Sequence, residues 1–254
     1  MQKFMVISDP HAPLQDPKAV EWVRKMLLAD RYDYLIFTGD LFEAASASKF
    51  NNENIHDLEE EYEQASKFLK TVREASRGAK CVFVEGNHDF NIHAQNRLSK
   101  GVRSLVDYRN PRVFPELQNW RWGADYIADR NKGVFRIGPQ LNFLHGYKTG
   151  VTSGAHQALL FGHEYSLTVT GHTHAGHGPE QVYFNKSIPM NRWYANAGTL
   201  KVLYEEWCSK HLATMNWSQG AIIGEFMPIK SQRLSRTWEA RYELFQTRED
   251  YLSQ

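Results

Sequence analysis

Five short segments of this chain carry residue types that bind metal ions or move protons. They are Asp9-Pro10-His11, Gly39-Asp40-Leu41-Phe42-Glu43, Gly86-Asn87-His88-Asp89, His145-Gly146 and Gly171-His172-Thr173-His174. Each follows a run of β-forming residues, at 4–7, 34–37, 81–84, 141–144 and 167–170. In an open α/β sheet the carboxyl ends of the strands line the ligand crevice. Asp, Asn and His recurring at five such ends, in one order, predict a metal site that does hydrolytic chemistry.

Asp9 and His11 are two apart at a strand end, so both side chains leave one face. Asp40 ends the neighbouring strand and offers a carboxylate able to bridge two cations. Asn87 offers a neutral carbonyl oxygen, and His145, His172 and His174 offer imidazoles. A nitrogen and oxygen donor set without thiolate suits two divalent ions of the Mn, Fe, Zn, Co or Ni kind, Mn foremost, better than Ca or Mg alone. Two carboxylates against two dications leave the centre net positive, which favours an anionic substrate and a bound hydroxide. Two metals about 3.5–4 Å apart lower a water's pKa toward 7 and clamp the oxygens of an in-line displacement.

The elements that must position these residues alternate in the N-terminal half. Asp16-Pro17 reads as an N-cap with proline in the first turn, and Val20, Val23, Met26 and Leu27 make a helical apolar stripe. A second amphipathic stretch, about 57–77, carries Leu58, Tyr62, Ala65, Phe68, Val72 and Ala75, with Gly78 as its C-cap. This βαβαβ order implies parallel pairing and right-handed crossovers. Residues 90–140 are irregular and rich in Arg and Trp. From 141 onward strands dominate, with a loop at 175–195 punctuated by Gly176, Gly178, Pro179 and Pro189. The pattern suggests a core domain over 1–228 and a partly helical tail over 229–254, helical around 237–252.

The 254 residues suffice for one large domain, and 30 Lys plus Arg against 29 Asp plus Glu give no global electrostatic signal for a nucleic-acid partner. Two cysteines, Cys81 and Cys208, argue against a structural disulfide and for a reducing compartment. A strand beginning near Phe4 leaves no room for a signal peptide, and no apolar run reaches the roughly 18–20 residues of a membrane span. The expectation is a cytoplasmic protein with no membrane partner.

The five segments together resemble the calcineurin-like metallophosphoesterases, whose pattern is D-x-H, G-D-x-x, G-N-H-[DE], a lone His, and G-H-x-H. All five elements occur here in order from 9 to 174, about two thirds of the chain. The resemblance implies an α/β (α+β) fold, a four-layer β-sandwich flanked by helices with the metal site at strand C-terminal ends. It implies Asp9, His11, Asp40 and His174 on one metal, and Asp40, Asn87, His145 and His172 on the other. Asn196-Ala197-Gly198-Thr199 is similar to the Asn-Pro-Gly-Ser segment that often follows G-H-x-H in smaller bacterial members. His88, beside a ligand but not one, is the expected catalyst, stabilising the pentavalent phosphorus or protonating the leaving oxygen, with Asp89 orienting its imidazole. Asn91, Arg97, Arg103 and His177 are expected to face substrate. Each of His93, His156, His163 and His211 reads as a surface or core histidine.

The implied function is phosphate-ester hydrolysis by a metal-bound hydroxide. The G-D-x-V-D-R-G signature of protein serine/threonine phosphatases is missing. The repair nucleases of this family often carry His where Glu43 stands. The Arg and Trp content of 90–130, with Trp120, Trp122 and Trp193 as possible stacking surfaces, favours a phosphodiester, nucleotide or nucleic-acid substrate. Phosphomonoesterase activity comes next, then a non-catalytic scaffold of the same fold.

Overall fold

The computed structural model describes residues 1–45, 57–94, 100–150, 152–185, 187–204, 212–229 and 235–253. Arg97, Cys208 and His211 lie outside the described residues.

Strand β1 (Gln2–Ile7) alternates its side chains between two cores. Met5 and Ile7 pack toward helices α1 (Pro17–Ala29) and α2 (Leu58–Ala75), and Phe4 and Val6 toward the opposite sheet. Both faces of β1 are covered, which is why its apolar run is unbroken. Asp16 caps α1 by accepting from the Lys18 N–H, with proline in the first turn, as its sequence predicts.

Strands β2 (Tyr34–Phe37) and β3 (Lys80–Val84) continue parallel from β1, so the expected βαβαβ unit is present. Helices α3 (Asn87–Ala94) and α4 (Lys100–Val106) and strand β4 (Arg121–Ala124) follow, and β4 pairs parallel with β3. The second sheet contains β5 (Phe135–Ile137), β6 (Leu141–Phe143), β7 (Ser166–Thr170), β8 (His177–Phe184) and β9 (Ile188–Asn196), in the order β5-β6-β7-β9-β8. Helix α5 (Ser153–Phe161) packs on β9 and β7. The layers therefore run α1/α2, first sheet, second sheet, α5, which is the expected helix-flanked sandwich. Phe4, Val6, Ile36, Val82 and Val84 meet Phe143, Leu167, Val169 and Ala195 between the sheets.

Two expectations fail. The stretch 175–195 is not a loop but largely the β8–β9 hairpin; Pro179 is tolerated because β8 is the sheet's edge strand. Residues 237–252 are not mainly helical: Trp238–Thr247 forms β11, antiparallel to β10 (Ser218–Phe226), completing the order β11-β10-β1-β2-β3-β4. Only α6 (Arg248–Leu252) is helical there. The apolar spacing of Trp238, Ala240 and Tyr242 has period two, and these residues pack on the intersheet core. No helix among the described residues is long and apolar enough to cross a membrane.

Candidate metal centre

The turns leaving β1, β2, β3, β6 and β7 converge. Asp9, His11 and His174 form one group of closely spaced donors, and Asp40, His145 and His172 another. Asp40 joins them: its Oδ2 lies 3.2 Å from His145 Nε2 and 3.6 Å from His11 Nε2. Asn87 Oδ1 is 2.9 Å from His145 Nε2. His11 Nε2 and His174 Nε2 face each other at 3.2 Å, with Asp9 Oδ1 3.3 Å from the latter. All seven sequence-predicted donors are thus brought to one place.

The backbone there is held in unusual conformations. Asp9, His11, Asp40, His172 and His174 all have positive φ, between 48° and 68°. Each costs on the order of 1–2 kcal/mol for an L-residue, so the surrounding contacts must impose it. The motif glycines let those contacts form. A Cβ at Gly86 would stand 2.2 Å from both the backbone nitrogen and Oδ1 of Asp40. One at Gly171 would stand 2.4 Å from Asp9 Oδ2.

Side chains and carbonyls behind the donors aim them. The Thr38 carbonyl accepts from His145 Nδ1 at 2.8 Å, which turns Nε2 inward toward Asn87 Oδ1 and Asp40 Oδ2. The Asn196 amide donates to the Gly171 carbonyl at 2.6 Å and to Thr173 Oγ1 at 3.0 Å, securing the Gly-His-Thr-His turn. Glu43 does most. Its Oε2 lies 2.9 Å from His11 Nδ1 and 3.0 Å from Lys201 Nζ, and its carbonyl oxygen is 2.5 Å from His88 Nδ1.

Asp89 does not orient His88. Its carboxylate accepts from the backbone N–H groups of Leu41, Phe42 and Gly86 instead, tying the β2 and β3 turns together, and the Glu43 main-chain carbonyl orients the His88 ring. An acceptor buried beside three orphan N–H groups is captured by them before it can reach a neighbouring ring.

Burial works against every charge here. It raises Asp40, but the His145 and His88 charges outweigh it and hold Asp40 well below the usual carboxylate range. His11, opposed by burial and Lys201, is lifted to about 10 by Glu43 and Asp9. His145, opposed by burial, is lifted to about 9 by Asp40. His172 is pushed down to about 4 by burial and the neighbouring His145. Without other cations, protons on histidine balance the two aspartates. His174 Nδ1 is buried with no hydrogen-bond partner. Two imidazole nitrogens turned toward each other beside carboxylates fit a site for divalent cations.

The profile of calcineurin-like phosphoesterases matches residues 2–176. The chain belongs to that family. The family is binuclear metal-dependent, and the donor groups that meet at Asp40 agree with that. The Gene 54 protein of Mycobacterium phage L5 is 26% identical over 268 residues, covering 94% of this chain and 99% of its own. The Gene 54 protein of Mycobacterium phage D29 is 24% identical over 271 residues, with the same coverage. Among solved structures, a Vps29 mutant from Entamoeba histolytica is 13% identical with a TM-score of 0.45, over 96% of this chain and all of that one (100%). The Pseudomonas putida nuclease MPE is 12% identical with a TM-score of 0.40, over 78% and 73% of the two chains. At this level of likeness neither structure speaks to the activity of this calcineurin-like phosphoesterase.

The expected substrate contacts are less well placed. Asn91 is exposed on α3, one turn beyond His88. Arg103 falls on α4, and the description does not extend to its side chain. His177 sits on β8, its ring against Tyr194 and its Nδ1 at the Gly178 carbonyl, so edge-strand packing accounts for it. Trp120 is buried against Phe37, and the half-buried Trp193 meets Trp238, whereas Trp122 lies on Phe83 and stays exposed. None of these ring contacts reaches the donor residues. Lys201, Tyr126 and Trp217 were invisible as site residues. Tyr126 lies against His145 and Trp217 against His174, and only the fold brings these isolated loop residues there.

Proposed function

We propose that this calcineurin-like phosphoesterase hydrolyses phosphodiesters at a binuclear centre held by Asp9, His11, Asp40 and His174 on one side and Asp40, Asn87, His145 and His172 on the other. The observation that carries this reading is the Asp40 carboxylate standing between the two histidine groups. When bound, two divalent cations supply the charge that polarises the phosphoryl group and lowers the pKa of a water toward 7.

The chain's own residues do the rest. A carbonyl only accepts, so the 2.5 Å contact to Glu43 fixes a proton on His88 Nδ1 and leaves Nε2 for the leaving oxygen. The His88 ring stands edge-on to His11, 4.7 Å between centroids, and its ring nitrogen also groups with the donor atoms of His11 and Asp40; we assign it as the proton donor and not as a ligand. Asp89 keeps the two turns that carry Asp40 and His88 in register. Asn91 is exposed on the same helix for contact with the substrate.

Charge favours a diester. Among the described residues no arginine touches the donor cluster, and Lys201 is paired with Glu43. The cations found near the site among the described residues balance the single negative charge of a diester more readily than a monoester dianion. Manganese-supplemented assays with bis(p-nitrophenyl) phosphate and p-nitrophenyl phosphate test this. The diester is expected to turn over faster. Faster monoester turnover makes the protein a phosphomonoesterase, and no turnover of either makes it a scaffold.

A further inference from the structure

A second cationic site lies away from the metal centre. Arg130, Arg136, Arg192 and His163 line a cavity of about 410 Å³ at the end of α5, and no acidic residue lines it. Arg136 and Arg192 are fixed by main-chain carbonyls rather than by carboxylates. Arg136 donates to Arg130 O at 2.7 Å and Phe161 O at 3.4 Å, and Arg192 donates to Leu159 O at 3.1 Å. Nε of both Arg136 and Arg192 is buried without a partner. Arg130, Arg136 and Arg192 have no ion pair among the described residues. Burial and the three arginine charges hold His163 below the ordinary histidine range.

Two oriented guanidinium groups, Arg136 and Arg192, with the exposed Arg130 beside them on a concave surface, fit the oxygens of phosphate better than any neutral ligand. Position adds the polymer. His163 precedes β7 and His172 follows it, and five residues at about 3.3 Å each put roughly 17 Å between pocket and metal centre. A strand of a few nucleotides spans that distance. We propose that this pocket is a phosphate-binding exosite for the backbone of a nucleic-acid strand whose scissile phosphodiester lies at the Asp40 cluster. It rests on the phosphodiester reading above.

The test uses the metal-loaded full chain and phosphorothioate-backbone oligonucleotides, so that binding is read with cleavage suppressed. Fluorescence anisotropy measures a labelled twelve-residue thymidine oligonucleotide and a four-residue one. The proteins are wild type, Arg130→Gln/Arg192→Gln and Arg130→Lys/Arg192→Lys. The long strand is expected to bind tighter than the short one. The glutamine pair should weaken it about 10-fold and cut the slope of log K against log salt by about 1.4, at roughly 0.7 per phosphate. The lysine pair, which keeps the charge, should retain most of that slope. Turnover of bis(p-nitrophenyl) phosphate by the metal-loaded enzyme should be equal in all three. Wild-type affinity and slope in the glutamine pair would overturn the exosite. So would equal binding of both lengths, or displacement of the long strand by inorganic phosphate at the strand's own concentration. Failure of the phosphodiester reading appears separately, as wild-type protein inert toward bis(p-nitrophenyl) phosphate.

Discussion

The carbonyl oxygen of Glu43 and Nδ1 of His88 are 2.5 Å apart, while the carboxylate of the same glutamate stands 2.9 Å from His11 Nδ1. One residue thus holds His11, a proposed metal donor, through its side chain and His88, the proposed catalyst, through its main chain. The two functions separate by mutation. Glu43→Gln should lower metal affinity by about 10–100-fold, the usual cost of losing a group that orients a ligand, and leave His88 in place. Competition titration with a metal-indicator dye measures it. Unchanged affinity would mean that Glu43 does not position His11.

His88→Ala should lower turnover by about two to four orders of magnitude while both metals stay bound. The measurement is single-turnover hydrolysis of a diester with a poor leaving group, beside metal content. Normal turnover, or loss of metal, contradicts the role. Nitrophenyl esters are the wrong substrate here because their leaving groups need little protonation.

Gly86→Ala should empty the site without unfolding the protein. The added methyl meets Asp40 at 2.2 Å, inside any tolerable contact, and the turn bearing Asp40 must move. Far-ultraviolet circular dichroism should be unchanged and metal content should fall. Full metal content in the variant would show that the turn has room to adjust.

Most of the centre was legible because strands end at fixed places and the side chains that follow are committed to that edge. Asp9, His11, Asp40, Asn87, His145, His172 and His174 each stand within a few residues of an apolar strand, and the structure gathers all of them. What was not legible depends on distant packing. Lys201 is 158 positions from Glu43, and no local pattern announces that pair. Asp89 follows His88 directly, which suggests a partner, yet backbone donors from the Asp40 turn claim it. The β8–β9 hairpin was hidden by Pro179 and two glycines, residues an edge strand accepts and a central one does not. Strand β11 was hidden by its mixed polar composition, because its outer edge has no neighbouring strand among the described residues.

Glu61 supplies a pH dependence apart from the metals. It is buried, with Oε2 accepting from the Ala44 N–H at 2.8 Å. Burial pushes its carboxyl up from 4.5 to about 7, the Ala44 bond opposing and the Glu43 charge assisting. A raised folded-state pKa means the native protein holds the proton more tightly than the unfolded chain. The resulting stability is full below pH 4.5 and is lost as pH rises through 7. Relative to Glu61→Gln, wild type should therefore lose about 1–3 kcal/mol between pH 5 and 8. Urea midpoints of both proteins across that range measure it. A difference that stays constant with pH would show that Glu61 is ionised throughout.

The central claim is that Asp40 makes one centre out of two. Equilibrium dialysis followed by elemental analysis, on wild type and Asp40→Ala, tests it most directly. The account predicts two manganese ions per wild-type chain and at most one, weakly held, in the variant. Two ions retained by Asp40→Ala at wild-type affinity would contradict it.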